Sequence, residues 1–184
     1  LLRTLQSNHP VFLFSPDLPY GSTVNLGRFT LLWPAEYNLF SLFFKSPSAF
    51  WYFLFHAFQY VILMILFVKI ISKFTSNKFL IYLTPILLSL TTSMAIPWFR
   101  THLGERSVIL FYAIFLFFYF LYLEQPKLRY LILGLISVNL AIYYKETAFI
   151  ALAVFAFCHL LLSWKKSSVG VKIFDGLVFL SSFL

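Results

Sequence analysis

From Phe50 to Trp164 the chain is written in apolar runs of 15 to 22 residues, separated by the short charged connectors SKFTSNK, RTHLGER, EQPKLR and WKKSSVG. Lipid offers no partner to a backbone N–H or C=O, so a run of this kind has to close its own hydrogen bonds as a helix. About 20 mostly apolar residues are needed to cross a bilayer. The pattern therefore predicts an all-α, polytopic helical membrane protein with five transmembrane helices. These are roughly Phe50 to Ile71, Phe79 to Pro97, Ser107 to Leu123, Tyr130 to Tyr144 and Thr147 to Trp164, with a partial sixth from about Ile173. Tyr and Trp crowd several run ends, as at Trp51 and Tyr143, which fits an interfacial aromatic belt.

Composition supports the same class. Hydrophobic residues make up 61% of the chain, charged residues only 11%, and mean hydropathy is +0.87, outside the range of ordinary soluble domains. The formal net charge of +8 raises the question of a nucleic-acid partner, but the basic residues are scattered between apolar runs and form no basic face. No nucleic-acid partner is expected. The single cysteine, Cys158, rules out a disulfide within the chain and is expected to pack as a small hydrophobe. His56 and His159 lie inside runs without metal-ligand spacing, so they are read as helix-packing residues and no metal site is assigned. The chain opens at Leu1 without a signal-peptide pattern and its last apolar run, FDGLVFLSSFL, stops short of a span, so a piece of a longer protein is expected.

Alternate connectors lie on alternate sides. One side takes Lys69, Lys73 and Lys78, then Lys127 and Arg129, then Lys165, Lys166 and Lys172; the other has Arg100, Arg106 and Lys145. The positive-inside rule makes the richer side cytoplasmic. Asp17, Glu36, Glu105 and Glu146 then fall outside, and Glu124 and Asp175 inside. Acids contribute little to topology, so their distribution is independent of the assignment. It is compatible with a convergent site or with ordinary solvated loops.

Two outer segments are informative. Residues 1–49 are too polar and too rich in Pro and Gly to span, and PAEYNLFSLFF places Pro34 at the start of a short amphipathic stretch, suited to an interfacial helix. Asp17, in SPDLPYG, is either a turn residue or a carboxylate held just above the membrane, near Arg28 and Glu36. The other segment is NLAIYYKETAF. The flanking runs of 15 and 18 residues reach only about 22 and 27 Å, so the Lys145–Glu146 turn is expected to sit below the membrane surface. There the pair faces protein or a watery cavity; a snorkelling lysine beside a helix-capping glutamate is the plainer reading. Arg100, His102, Glu105 and Arg106, in WFRTHLGERS, share that side. Carboxylates among fixed cations suit a phosphate-bearing lipid beside a group that takes up a proton.

The order of GRFTLLWPAEYNLFSLF, FWYFLFHAF, GERSVILFYAIFLFFYFLYL and NLAIYYKETAFIALAVFAF resembles the GT-C superfamily of membrane glycosyltransferases, which includes protein O-mannosyltransferases and bacterial relatives. The resemblance covers most of the chain and corresponds to the N-terminal part of such an enzyme. It implies inverting transfer of a sugar from a polyprenyl-phosphate donor to a glycan, lipid or protein acceptor, at the outer face of a bacterial cytoplasmic membrane. It also implies that Asp17, the early loop acid, is the base, and that Lys145 and Glu146 match a recurrent Lys-Glu pair. Asp17 is followed by Leu18, so the paired acids of some members are missing and Glu36 stands as a substitute base. Arg28, Arg100, His102, Glu105 and Arg106 join Lys145 and Glu146 as candidate substrate-binding residues. No cofactor is assigned, and a divalent cation is left open. Membrane lipid is the other expected partner, and oligomeric state is not legible. The alternative reading is a transporter or flippase whose substrate path is lined by Lys145 and Glu146.

Overall fold

The computed structural model describes Leu32 and residues 49–99, 104–145 and 147–183. Asp17, Arg28, Glu36, Arg100, His102 and Glu146, and the interfacial helix expected at Pro34, lie outside the described residues. Within them the chain is all helical: α1 (Ala49–Ile71), α2 (Lys78–Ser89), α3 (Thr92–Phe99), α4 (Glu105–Glu124), α5 (Leu128–Tyr144), α6 (Ala148–Ser163) and α7 (Val169–Ser181). Two of these, α1 and α4, are long and apolar enough to cross a membrane, and a third crossing is added if α2 and α3 count as one bent span. Helices α5 and α6 are apolar but shorter.

The stretch expected as one helix from Phe79 to Pro97 is two, bent by 62°. The reason lies in LSLTTS, at residues 88–93. The Ser89 hydroxyl donates to the Ile86 carbonyl at 2.6 Å and that of Thr91 to the Leu88 carbonyl at 2.7 Å. Hydroxyls that bond back to the preceding turn satisfy carbonyls at a helix end and permit the break. Pro85 within α2 and Pro97 within α3 each remove one further ladder donor. The start of α2 is set by Asn77, whose side chain accepts from the Phe79 amide at 3.0 Å.

Helix α4 is the centre of the bundle. In its most apolar window 39% of residues are buried inside the protein, against 11% for α1, which turns most of its surface outward. One face of α4 carries Val108, Phe115, Tyr119 and Tyr122 into a core shared with α5, α6 and α7; the opposite face packs Leu110 and Ala113 with Leu63 and Ile70 of α1. Two ring-shaped faces of this kind are what a helix surrounded by others requires. Gly134 of α5 lets the fully buried Phe174 of α7 approach its backbone: a Cβ there would fall 2.5 Å from Phe174 Cζ. The last helix begins at Val169, four residues before the expected partial sixth run, with the Ser168 side chain capping the Val171 amide.

Ion pairs fix which ends lie together. Lys73, just past α1, meets Glu124 at the end of α4 at 2.7 Å, whereas Glu105 at the start of α4 meets Lys145 at the end of α5. Lys73 and Glu124, assigned to one side by charge, thus share one end of the bundle, the Lys73 end, and Glu105 and Lys145 share the other, the Lys145 end.

Candidate functional site

The Lys145 end is built around the first two turns of α4. Gly104 offers no side-chain cap, and Glu105 occupies the first turn, where a carboxylate is favoured by the helix dipole. Its Oε1 accepts from Lys145 Nζ, and both side chains remain about a third exposed, at 33% and 34%. Of the sequence-derived candidates, these two are brought into direct contact.

Lys145 ends α5 in an extended conformation, its amide bonded to the Ala141 carbonyl, and its own carbonyl accepts from Ala148 to open α6. The turn is pinned to the side of α4. The Tyr112 hydroxyl donates to the Ala148 carbonyl at 2.7 Å, and the rings of Phe111 and Tyr144 lie 5.6 Å apart. Tyr112 is seven residues into α4 from Glu105, and helical side chains lean back toward the N-terminus, so the start of α6 sits about 5–10 Å along α4 from its first residue. The turn lies against the side of α4, and the Lys145 side chain reaches Glu105 at its start. The amide of Leu32 donates to the Tyr143 carbonyl at 3.0 Å, which places Leu32 beside the end of α5.

Arg106 behaves differently from the loop cation expected of RTHLGER. It is wholly buried between α4 and α1, with Nη2 donating to the Tyr52 hydroxyl at 3.2 Å and the guanidinium 5.7 Å from the Tyr52 ring centre. The cause is register: Arg106 sits one helical turn before Leu110, on the face that packs against α1. Tyr52 is in turn packed edge-on against the buried His56, with ring centres 3.9 Å apart. Tyr52, His56 and Gln59 recur at helical spacing along one stripe of α1. That spacing was visible in FWYFLFHAFQY and was the signal for a polar face directed into the bundle.

A second polar cluster lies toward the Lys73 end. The Tyr119 hydroxyl donates to Asp175 Oδ1 at 2.6 Å, and His159 Nδ1 lies 2.8 Å from Asp175 Oδ2 and 2.7 Å from the Tyr119 oxygen. Asp175, expected among the cytoplasmic connectors, is instead 1% exposed inside α7. Cys158, one residue before His159, is exposed on the outward face of α6 and does not pack inside. Among the described residues no group of His, Cys, Asp and Glu is arranged to hold a metal ion.

No family model, curated protein or solved structure matches the chain. The site is therefore read from its own geometry.

Proposed function

We propose that the chain is the N-terminal part of a polytopic membrane glycosyltransferase of the GT-C type. In this reading its five spans are α1, the bent α2–α3 pair, α4, α5 and α6, α7 starts a sixth, and the Lys145 end faces outward. The observation that supports the proposal is the pairing at that end of Lys145, at the close of α5, with Glu105 at the start of α4, beside the Leu32 amide bonded to Tyr143. A part-buried cation beside a carboxylate suits the phosphate of a lipid-linked sugar better than a fully exposed surface pair, because low surrounding polarity strengthens the contact.

The chemistry follows from these parts. Asp17, with Glu36 as substitute, takes the proton from an acceptor hydroxyl as its oxygen attacks the anomeric carbon. The bond from that carbon to the phosphate oxygen breaks, and the phosphate leaves with the electron pair. Lys145 stabilises the negative charge that gathers there, and Glu105 holds the ammonium in place beforehand. Arg28, Arg100, His102 and Glu146 complete the proposed substrate-binding set, whereas Arg106, buried against Tyr52, holds α4 to α1.

The test is sugar transfer by the full-length protein from a polyprenyl-phosphate donor, with Asp17→Asn and Lys145→Ala compared with the parent. Loss of turnover in both, with the donor still bound by Asp17→Asn, supports the reading. Unchanged transfer in Asp17→Asn removes that residue from the role of base.

The break between α2 and α3 favours a second reading, a transporter or flippase, since discontinuous helices recur at transport sites. Movement of a lipid-linked sugar between leaflets of sealed vesicles without any transfer product decides for it.

A further inference from the structure

The basic residues are treated differently at the two ends of the bundle. At the Lys145 end, among the described residues, Lys145 is paired with Glu105 and Arg106 is buried against Tyr52. At the Lys73 end, Lys69, Lys73, Lys78, Lys127, Arg129, Lys165 and Lys166 are exposed and Lys172 is half-buried, yet only Lys73 has a carboxylate partner among the described residues. That partner is Glu124; the other acid toward this end, Asp175, is buried and bonded to Tyr119 and His159. Packing gathers these cations instead of spreading them. The Lys73–Glu124 pair ties the α1–α2 connector to the end of α4, and the Tyr122 hydroxyl lies so close to Gly170, at the start of α7, that a Cβ there would fall 2.6 Å from it.

The corner between α6 and α7 adds order to the charge. Trp164 closes α6, Ser168 caps α7, and Lys172, one turn into α7, brings its ammonium back over the Trp164 ring, 4.7 Å from the ring centre. The indole face attracts the cation and holds it at the level of the turn. Lys165 and Lys166 occupy that turn, the Lys166 amide bonded to the Ser163 carbonyl at 2.9 Å. Directly beside these cations Leu162, Trp164 and Val169 are exposed on the apolar helices that flank the turn. Ammonium groups and exposed apolar side chains at one level match a molecule that carries an anion and hydrocarbon together. Free phosphate or a nucleic acid would answer the charges and leave the leucine and valine in water. A phospholipid covers both, its phosphate on the lysines and its acyl chains on the apolar faces.

We propose that Trp164, Lys165, Lys166 and Lys172 form a binding site for the phosphate of an anionic membrane phospholipid at the Lys73 end. The site lies at the opposite end of the bundle from Lys145 and does not depend on the glycosyltransferase reading. Clustered lysines at a membrane surface favour acidic headgroups over zwitterionic ones, and here no carboxylate among the described residues competes for them.

The full-length protein in nanodiscs is probed by quenching of tryptophan fluorescence with brominated phosphatidylglycerol and, separately, with brominated phosphatidylcholine, which share acyl chains and differ in headgroup charge. Comparison of the parent with Trp164→Phe isolates the Trp164 signal. Phosphatidylglycerol is expected to be preferred about tenfold at low salt, and the preference should shrink in about 1 M salt. Lys165→Gln with Lys166→Gln, and Lys172→Gln alone, should each remove much of it while keeping the parent's quenching by phosphatidylcholine. Lys127→Gln with Arg129→Gln, at another connector of the same end, should leave it in place. Equal quenching by the two lipids in the parent overturns the site whatever the variants do. A loss in the Lys127 and Arg129 variant as large as in the Lys165 and Lys166 variant also overturns it, because the preference then reports the diffuse field of a basic end. Displacement of the brominated phosphatidylglycerol by inorganic phosphate or by a short oligonucleotide, at matched ionic strength, overturns the lipid assignment.

Discussion

Toward the Lys73 end, Tyr119, His159 and Asp175 satisfy one another across three helices, and the carboxylate is sealed from solvent. Toward the Lys145 end, Lys145 and Glu105 stay a third exposed. Both regions place polarity inside an apolar bundle, yet only the first closes its hydrogen bonds internally. A closed network holds helices together, because opening it leaves polar groups in hydrocarbon. An open one is disposed to receive something else. This contrast is the reason the function is proposed at the Lys145 end although the cluster at the Lys73 end has the tighter geometry.

If the contrast is right, Asp175→Ala should be the most damaging change to folding, destabilising by about 3 kcal/mol, since it strands a buried tyrosine hydroxyl and a histidine. Unfolding in detergent titrated with denaturant measures it; a loss below about 1 kcal/mol would mean that the network does not hold α7 in place. Gly134→Ala should follow at roughly 1–3 kcal/mol, because the added methyl meets the buried Phe174 ring. The double variant Gly134→Ala with Phe174→Leu should recover part of the loss, and no recovery would locate the strain elsewhere. At the other end the balance reverses. Lys145→Ala should change stability by no more than about 1 kcal/mol, as expected of a partly solvated pair, while sugar transfer falls on the order of a hundredfold. A large stability loss with transfer intact would make Lys145 a structural residue like Asp175. The smallest effect is expected at Lys73→Ala, within about 0.5 kcal/mol and diminishing with salt, because its pair with Glu124 is exposed.

Much of this arrangement was legible in the chain, and the parts that were not share a cause. Helix positions follow the apolar runs closely: Tyr130 to Tyr144 became Leu128–Tyr144, and Thr147 to Trp164 became Ala148–Ser163. The stripe of Tyr52, His56 and Gln59 was present at helical spacing but is inconspicuous in a helix whose other faces are apolar too. Arg106 and Asp175 were misplaced because a charge near a connector reads as solvated, and one residue of helix decides whether it points to water or to a neighbour. Nothing near Tyr119 announced that it would meet residues 40 and 56 positions away.

Apolar run length and the need to close backbone hydrogen bonds in lipid were sufficient to determine that the described residues are helical and where most of their helices lie, though not the break between α2 and α3. Charge at the connectors sorted those helices into two ends, which the Lys73–Glu124 and Lys145–Glu105 pairs respect. Only the tertiary structure decided which polar side chains meet. Helices α4, α6 and α7 are separated in sequence by connectors that carry no information about rotation, and it is rotation about each helix axis, set by packing around Phe115 and Phe174, that chooses partners. Rotation is also what buried Arg106 against Tyr52 and left Lys145 free to reach Glu105.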